Sequence, residues 1–157
     1  MTKKLNKKGT SLVELIAVIV IMGIIAAIAI PTTVGVINRQ KKKAAVESAN
    51  SAFSAAKTVL LEASTMADSG ASIGVSKLAD AEVYYIDAEA LKTNGHIDSK
   101  VDVKLADTDK LYFIYDGTKF TILVGASVNA MPTEPTVKVT IDGVDLTFTV
   151  ETGKFAS

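Results

Sequence analysis

An α+β fold is predicted for this chain, a long N-terminal helix joined to a small antiparallel β-sheet head. Three observations predict it. Leu12–Ile30 is an apolar run of nineteen residues, a helical repeat of small apolar residues resumes from Ala45 to Ala63, and two Asp-Gly pairs each separate alternating β-rich runs. At 157 residues there is enough chain for one modest core and an appendage, but not for two cores.

Taken in order, Met1–Lys8 is polar and basic, and the run that follows contains Glu14 as its only ionisable side chain. Nineteen residues of helix cover about 28 Å, close to the ~30 Å hydrocarbon thickness of a bilayer, so the run is long enough to span one. Basic residues flanking a first apolar segment stay in the cytoplasm, and Lys7 and Lys8 lie almost against the run. A second basic cluster, Arg39 to Lys43, argues for the opposite orientation but begins well beyond the apolar run.

Past Pro31, the residues Ala45, Ala49, Ala52, Ala56, Val59 and Ala63 recur at spacings of three and four, and Phe53 and Leu60 widen the stripe. A helix from about Ser11 to about Met66 would be roughly 80 Å long, more than a domain of this size can bury. Its first half therefore needs a partner elsewhere. Ala67–Val75 reads as a loop, and Asp87–Thr93 as a short helix with Asp87 as N-cap and Asn94 and Gly95 as its stop. Leu111–Tyr115 and Lys119–Val124 flank Asp116-Gly117, Val137–Ile141 and Val144–Val150 flank Asp142-Gly143, and Pro132 and Pro135 break the chain between the two predicted hairpins.

Charge is distributed unevenly. Eight of the 17 basic residues fall within the first 43 positions, whereas from Ala44 onward 9 Lys face 16 Asp and Glu, a balance of 9 − 16 = −7. No nonspecific nucleic-acid binding is expected of so acidic a head, because phosphate contacts need clustered Lys or Arg. With no Cys, disulfides, thiolate metal sites and cysteine nucleophiles are excluded. Ser-His-Asp order, metal cluster and Gly-rich phosphate loop are all missing from the sequence, and no catalytic residue, metal or cofactor is expected.

The segment Lys7-Lys8-Gly9-Thr10-Ser11-Leu12-Val13-Glu14-Leu15, with the apolar run to Ile30 and then Pro31, closely resembles the N-terminus of type IV prepilins. The resemblance covers about the first 60 residues. It implies a type IV pilin-like fold and a leader, 1–9, removed by prepilin peptidase between Gly9 and Thr10 on the cytoplasmic side. It further implies N-methylation at Thr10, subunit assembly through Glu14 and the amine of Thr10, and a helix kink at Pro31. Thr10 stands where the family's commonest first mature residue is Phe. The remaining divisions expected are 10–31, a transmembrane and filament-core helix; 32–66, an amphipathic helix packing on the head; and 67–157, the antiparallel β head. Heads of Gram-negative pilins usually carry a disulfide, so a chain without Cys points to a Gram-positive source.

On this resemblance the chain is expected to be a structural subunit, a major pilin, of a type IV pilus used in adhesion, twitching motility and aggregation. It would be single-pass in the cell membrane before assembly and part of an extracellular pilus afterwards. Partners implied are other copies of the chain in a helical homopolymer, the membrane, prepilin peptidase, the assembly platform and its ATPase, and minor pilins. The alternatives are a pseudopilin of a type II secretion or DNA-uptake (competence) system and a signal-anchored extracellular binding domain, for which Ala27-Ile28-Ala29 offers a general signal-peptidase site.

Other features have plainer readings. Glu14 is alternatively an acid tolerated near the cytoplasmic interface, and Pro31 a residue at a helix end. His96 reads as an exposed loop residue, Asp98, Asp102, Asp107 and Asp109 as a solvated acidic face without calcium-loop spacing, and Tyr84, Tyr85, Tyr112 and Tyr115 as strand packing. Arg39–Lys43 is either a solvated or headgroup-facing turn or a match for the acidic surface of a neighbouring head.

Overall fold

A computed structural model describes residues 11–79, 81–101, 103, 105 and 109–157, with the backbone alone described for 30–32. Gly9 and Thr10 lie outside the described residues, as do Asp102 and Asp107 of the acidic run. The chain forms two compact units, Met1–Gln40 and Lys41–Ser157, and helix α1, Leu12–Thr65, contributes to both.

In the first unit, α1 starts where the sequence supplies a start. Leu15 N donates to Ser11 O at 3.1 Å, and Ser11 N donates to the Glu14 carboxylate at 3.0 Å, so Ser11 is the N-cap residue and Glu14 occupies the third helical position. The helical assignment continues through Pro31. Proline brings no N–H to the ladder, which deprives Ala27 of its usual donor, and two residues on, the Thr33 hydroxyl donates to Ala29 O at 2.8 Å. Large apolar side chains of this unit stand exposed along its length, among them Leu12, Ile16, Ile21, Ile25, Ile28, Val34 and Ile37.

In the second unit, the small-residue stripe of α1 is the floor of the core. Ala49, Ala52, Ala56, Leu60 and Ala63 are fully buried, and Ala45, Phe53 and Val59 nearly so. Alanines allow the sheets to approach the helix closely, and Phe53 fills the space they leave. Its ring meets those of Phe113 and Phe120 at 6.0 and 6.4 Å and those of Phe148 and Phe155 at 4.8 and 6.5 Å. All five phenylalanines of the chain thus share one cluster.

The strands form two antiparallel sheets around that cluster, where the sequence suggested one. The first has the order β1-β2-β3-β4, with β1 Ser76–Lys77, β2 Tyr84–Asp87, β3 Lys110–Tyr115 and β4 Phe120–Gly125; the second has the order β5-β6-β7, with β5 Thr136–Ile141, β6 Val144–Thr149 and β7 Lys154–Ala156. The first sheet is covered on both faces. Leu111 and Phe113 point to the main core, and Tyr112 and Ile114 to a smaller cluster with Val83 and Val128. For that reason β3 is a continuous apolar run. The second sheet is covered on one face, so in β5 and β6 the buried Val139, Ile141, Leu146 and Phe148 alternate with Lys138 and Asp145.

The two Asp-Gly signals have different outcomes. Ile141 pairs with Val144, and Asp142 and Gly143 have φ of 50° and 71°, the two-residue turn expected of this dipeptide. Tyr115 pairs with Phe120 instead, which leaves a four-residue loop in which Asp116 Oδ1 accepts from Thr118 N and Lys119 N. The short helix is confirmed as α2, Ala88–Thr93, with Asp87 Oδ1 accepting from Ala90 N at 2.6 Å and Asn94 as C-cap. His96 is corrected: it is half-buried, with Nε2 3.0 Å from Ile73 O, because the turn after α2 lies against the loop that leaves α1. Strands β2 and β7 are too short for periodicity to have revealed them.

Candidate functional site

The stem is the candidate site. Glu14 belongs to the first turn of α1, between the exposed Val13 and Leu15. The amide of Ser11 reaches one of its carboxylate oxygens, the return half of the capping arrangement that an S-x-x-E sequence favours before an apolar run. A carboxylate at a helix N-terminus also faces the positive end of the helix dipole. Within one chain, then, Glu14 is held beside the backbone of the residue that follows Thr10, and among the described residues its other oxygen has no hydrogen-bond donor.

A charge at the centre of a membrane-spanning helix costs roughly 2.5–3.5 kcal/mol on insertion scales and less toward the helix end, where Glu14 stands, and a partner of opposite charge lowers that cost. In the unprocessed chain Thr10 N is an amide and carries no charge.

Residues 4–30 match the family model described as the prokaryotic N-terminal methylation motif. This is the type IV prepilin signature. The prepilin motif supports a type IV pilin or pseudopilin-family protein and implies processing by prepilin peptidase and assembly into pili. It also fits a membrane-anchored precursor, since the helix that holds its residues 12–30 has a mean hydropathy of 3.0 over its most apolar window, none of which is buried. The match ends at residue 30 and leaves the head untouched. Neither the curated proteins nor the solved structures returned a match to the chain.

Gly9, Thr10 and the Pro31 side chain lie outside what the structure describes, so of the expected site residues it places the side chain of Glu14 alone. The Ser11 amide was not among the expected site residues, although the S-x-x-E spacing signals it. Also unforeseen was Asn50, whose side-chain amide donates to Phe155 O at 3.3 Å and whose Oδ1 accepts from Phe155 N at 2.9 Å. This side chain takes the place of a neighbouring strand on the outer edge of β7, a polar contact that no local sequence pattern announces.

Among the described residues, no three His, Cys, Asp or Glu side chains are grouped to hold a metal ion. The head's charged contacts lie at its surface. Lys77 Nζ sits 2.6 Å from Glu82, whose other oxygen accepts from the Tyr84 hydroxyl at 2.8 Å. Hydrogen bonding from Lys77 holds the Glu82 carboxyl below its ordinary range, and the same bond raises Lys77. Lys110 is raised by its hydrogen bond to Asp87 at 3.3 Å. These contacts tie β1 to β2 and β3 to the N-cap of α2.

Proposed function

We propose that this chain is the structural subunit of a type IV pilus, a major pilin, stored in the membrane through the helix 10–31 and polymerised through it. The observation that carries the reading is the prepilin motif on a membrane-length helix whose first turn holds Glu14. Cleavage between Gly9 and Thr10 removes the basic leader and leaves the anchor on the mature chain. The freed Thr10 amine, then N-methylated, pairs with Glu14 of an adjoining copy and sets axial register, exchanging a costly lone carboxylate for an ion pair. Pro31 loosens the stem between 10–31 and the amphipathic 32–66, allowing the head 67–157 to pack around bundled stems.

The protein acts as a structural element, not a catalyst, and its partners are further copies, minor pilins, the peptidase and the platform and ATPase that extract it. Adhesion, twitching and aggregation are the roles proposed for the filament. Intact mass of the membrane-extracted and filament-derived protein tests the reading: a mature chain beginning at Thr10 is expected, and one beginning at Ile30 overturns it. The same motif opens pseudopilins, and long surface filaments against a short piston in the envelope separate the two.

A further inference from the structure

The segment 126–134 joins the two sheets and covers part of the first one on the face that carries Tyr112 and Ile114. Little holds it there. Val128 is its one buried residue, Met131 and Pro132 are half-buried, and the other six are exposed. Val128 completes the smaller cluster with Val83, Tyr112 and Ile114, and Met131 packs against that cluster. Among the described residues, no backbone–backbone hydrogen bond involves 127–134. The ties lie at its ends: the Tyr112 hydroxyl donates to Ala126 O at 3.0 Å, and past the segment Val150 N donates to Pro135 O at 3.0 Å. Pro132 has no N–H to offer either sheet. A cleft of ≈ 720 Å³ runs between 131–134 and the neighbouring parts of β4 and β5, so the second half of the segment has space to move.

A defect in the covered face weakens the closure. Thr121 of β4 pairs with Ile114 of β3, which puts both side chains on this face. Thr121 is fully buried, and among the described residues its hydroxyl has no hydrogen-bond partner. Such a group gives up its bonds to water and receives none in return. Access of water to this face removes that cost, and the burial of Val128 opposes the opening. One orphaned hydroxyl and one buried valine are effects of similar size, so the covered and uncovered arrangements lie close in free energy. The opposite face has no comparable defect, since Phe113 and Ile122 are fully buried in the main core without a polar atom to satisfy.

We infer that 126–134 is a detachable strap, a conformational device that lifts from the first sheet as a unit and bares Val83, Tyr112 and Ile114 while the core on α1 stays folded. Segments with few buried contacts and solvated backbone open at free energies well below that of global unfolding. The head can therefore change the covering of this face without disturbing the packing of its sheets on the helix.

A chain without Cys makes an introduced thiol the only one. In the detergent-solubilised full chain, alkylation of Val128→Cys is compared with that of Val139→Cys, a buried position of the main core. The first thiol is expected to react at least about a hundredfold faster, at a rate insensitive to low urea, because its exposure needs only the local opening. Adding Thr121→Val, which keeps the shape without the hydroxyl, should slow that reaction about tenfold. Thr121→Ser, which keeps the hydroxyl, should not slow it. Equal rates for the two thiols, both rising with urea as the head unfolds, overturn the inference. A Thr121→Val rate at or above the parent's also overturns it, because the hydroxyl then gives the strap no tendency to open. Thermolysin digestion of the chain without introduced Cys repeats the test independently of either thiol: cuts inside 126–134 should precede any within β3 to β6 and be slower in Thr121→Val. Cuts in the strap that appear only once those strands are cleaved reject it.

Discussion

Replacing Glu14 with Gln separates storage from assembly, because on the proposed pairing only assembly depends on the charge. The glutamine side chain is nearly isosteric and keeps an oxygen for the Ser11 amide, which lies 3.0 Å from the carboxylate in the native chain. Exchange of a charge-assisted bond for a neutral one weakens this contact by about 1 kcal/mol. Removing the charge relieves only part of the ~2.5–3.5 kcal/mol that insertion scales give a charge at a helix centre, because Glu14 stands in the first turn and Gln is itself polar, so the two effects roughly offset in the stored monomer. In a filament the neutral amide leaves the amine of the neighbouring chain without its counter-charge, a loss of about 3–5 kcal/mol per contact. Immunoblots of membrane and sheared fractions should therefore show a monomer pool equal to or larger than wild type, leader removal intact, and surface filament reduced at least a hundredfold. Normal filaments with intact processing would refute the pairing. A collapse of the monomer pool would refute it too, by showing that Glu14 serves the stability of the single chain.

Three further outcomes test the head. Phe53→Ala removes the ring that joins both sheets to α1 and should cost about 3–5 kcal/mol, read as a lower urea midpoint of the detergent-solubilised full chain; a loss under ~1 kcal/mol would show that the cluster repacks around the gap. Gly70→Ala should also destabilise, by at least about 2 kcal/mol, because φ is +82° and a Cβ there would meet Ala63 Cβ at 2.3 Å, whereas Gly117→Ala has the left-handed strain without the collision and should cost less. The Glu82 carboxyl is held low by its bond to Lys77, so its contribution is complete above the unfolded value near 4.5 and disappears as pH falls through the lower folded value. Glu82→Gln should accordingly be less stable than wild type at neutral pH and approach it in the acid limb of the titration, below the ordinary carboxylate range, with the difference shrinking in salt; an unchanged acid limb would discard the assignment.

What could be read before folding was whatever depends on neighbours along the chain. The apolar run with its lone Glu14, the Ala stripe from Ala45 to Ala63, the Asp87 cap and the two-residue turn at Asp142-Gly143 each follow from hydrophobic period or backbone preference, and the structure bears out the stripe, the cap and the turn. The division into two sheets, the four-residue loop at Asp116, the half-burial of His96 and the Asn50 clamp on Phe155 depend on which distant segments meet. Local periodicity says which face of an element is apolar, but not what covers it. Phe53 shows the limit most clearly. Its spacing marks it as one member of a helix stripe, and only the folding of four other phenylalanines around it makes that ring the centre of the head.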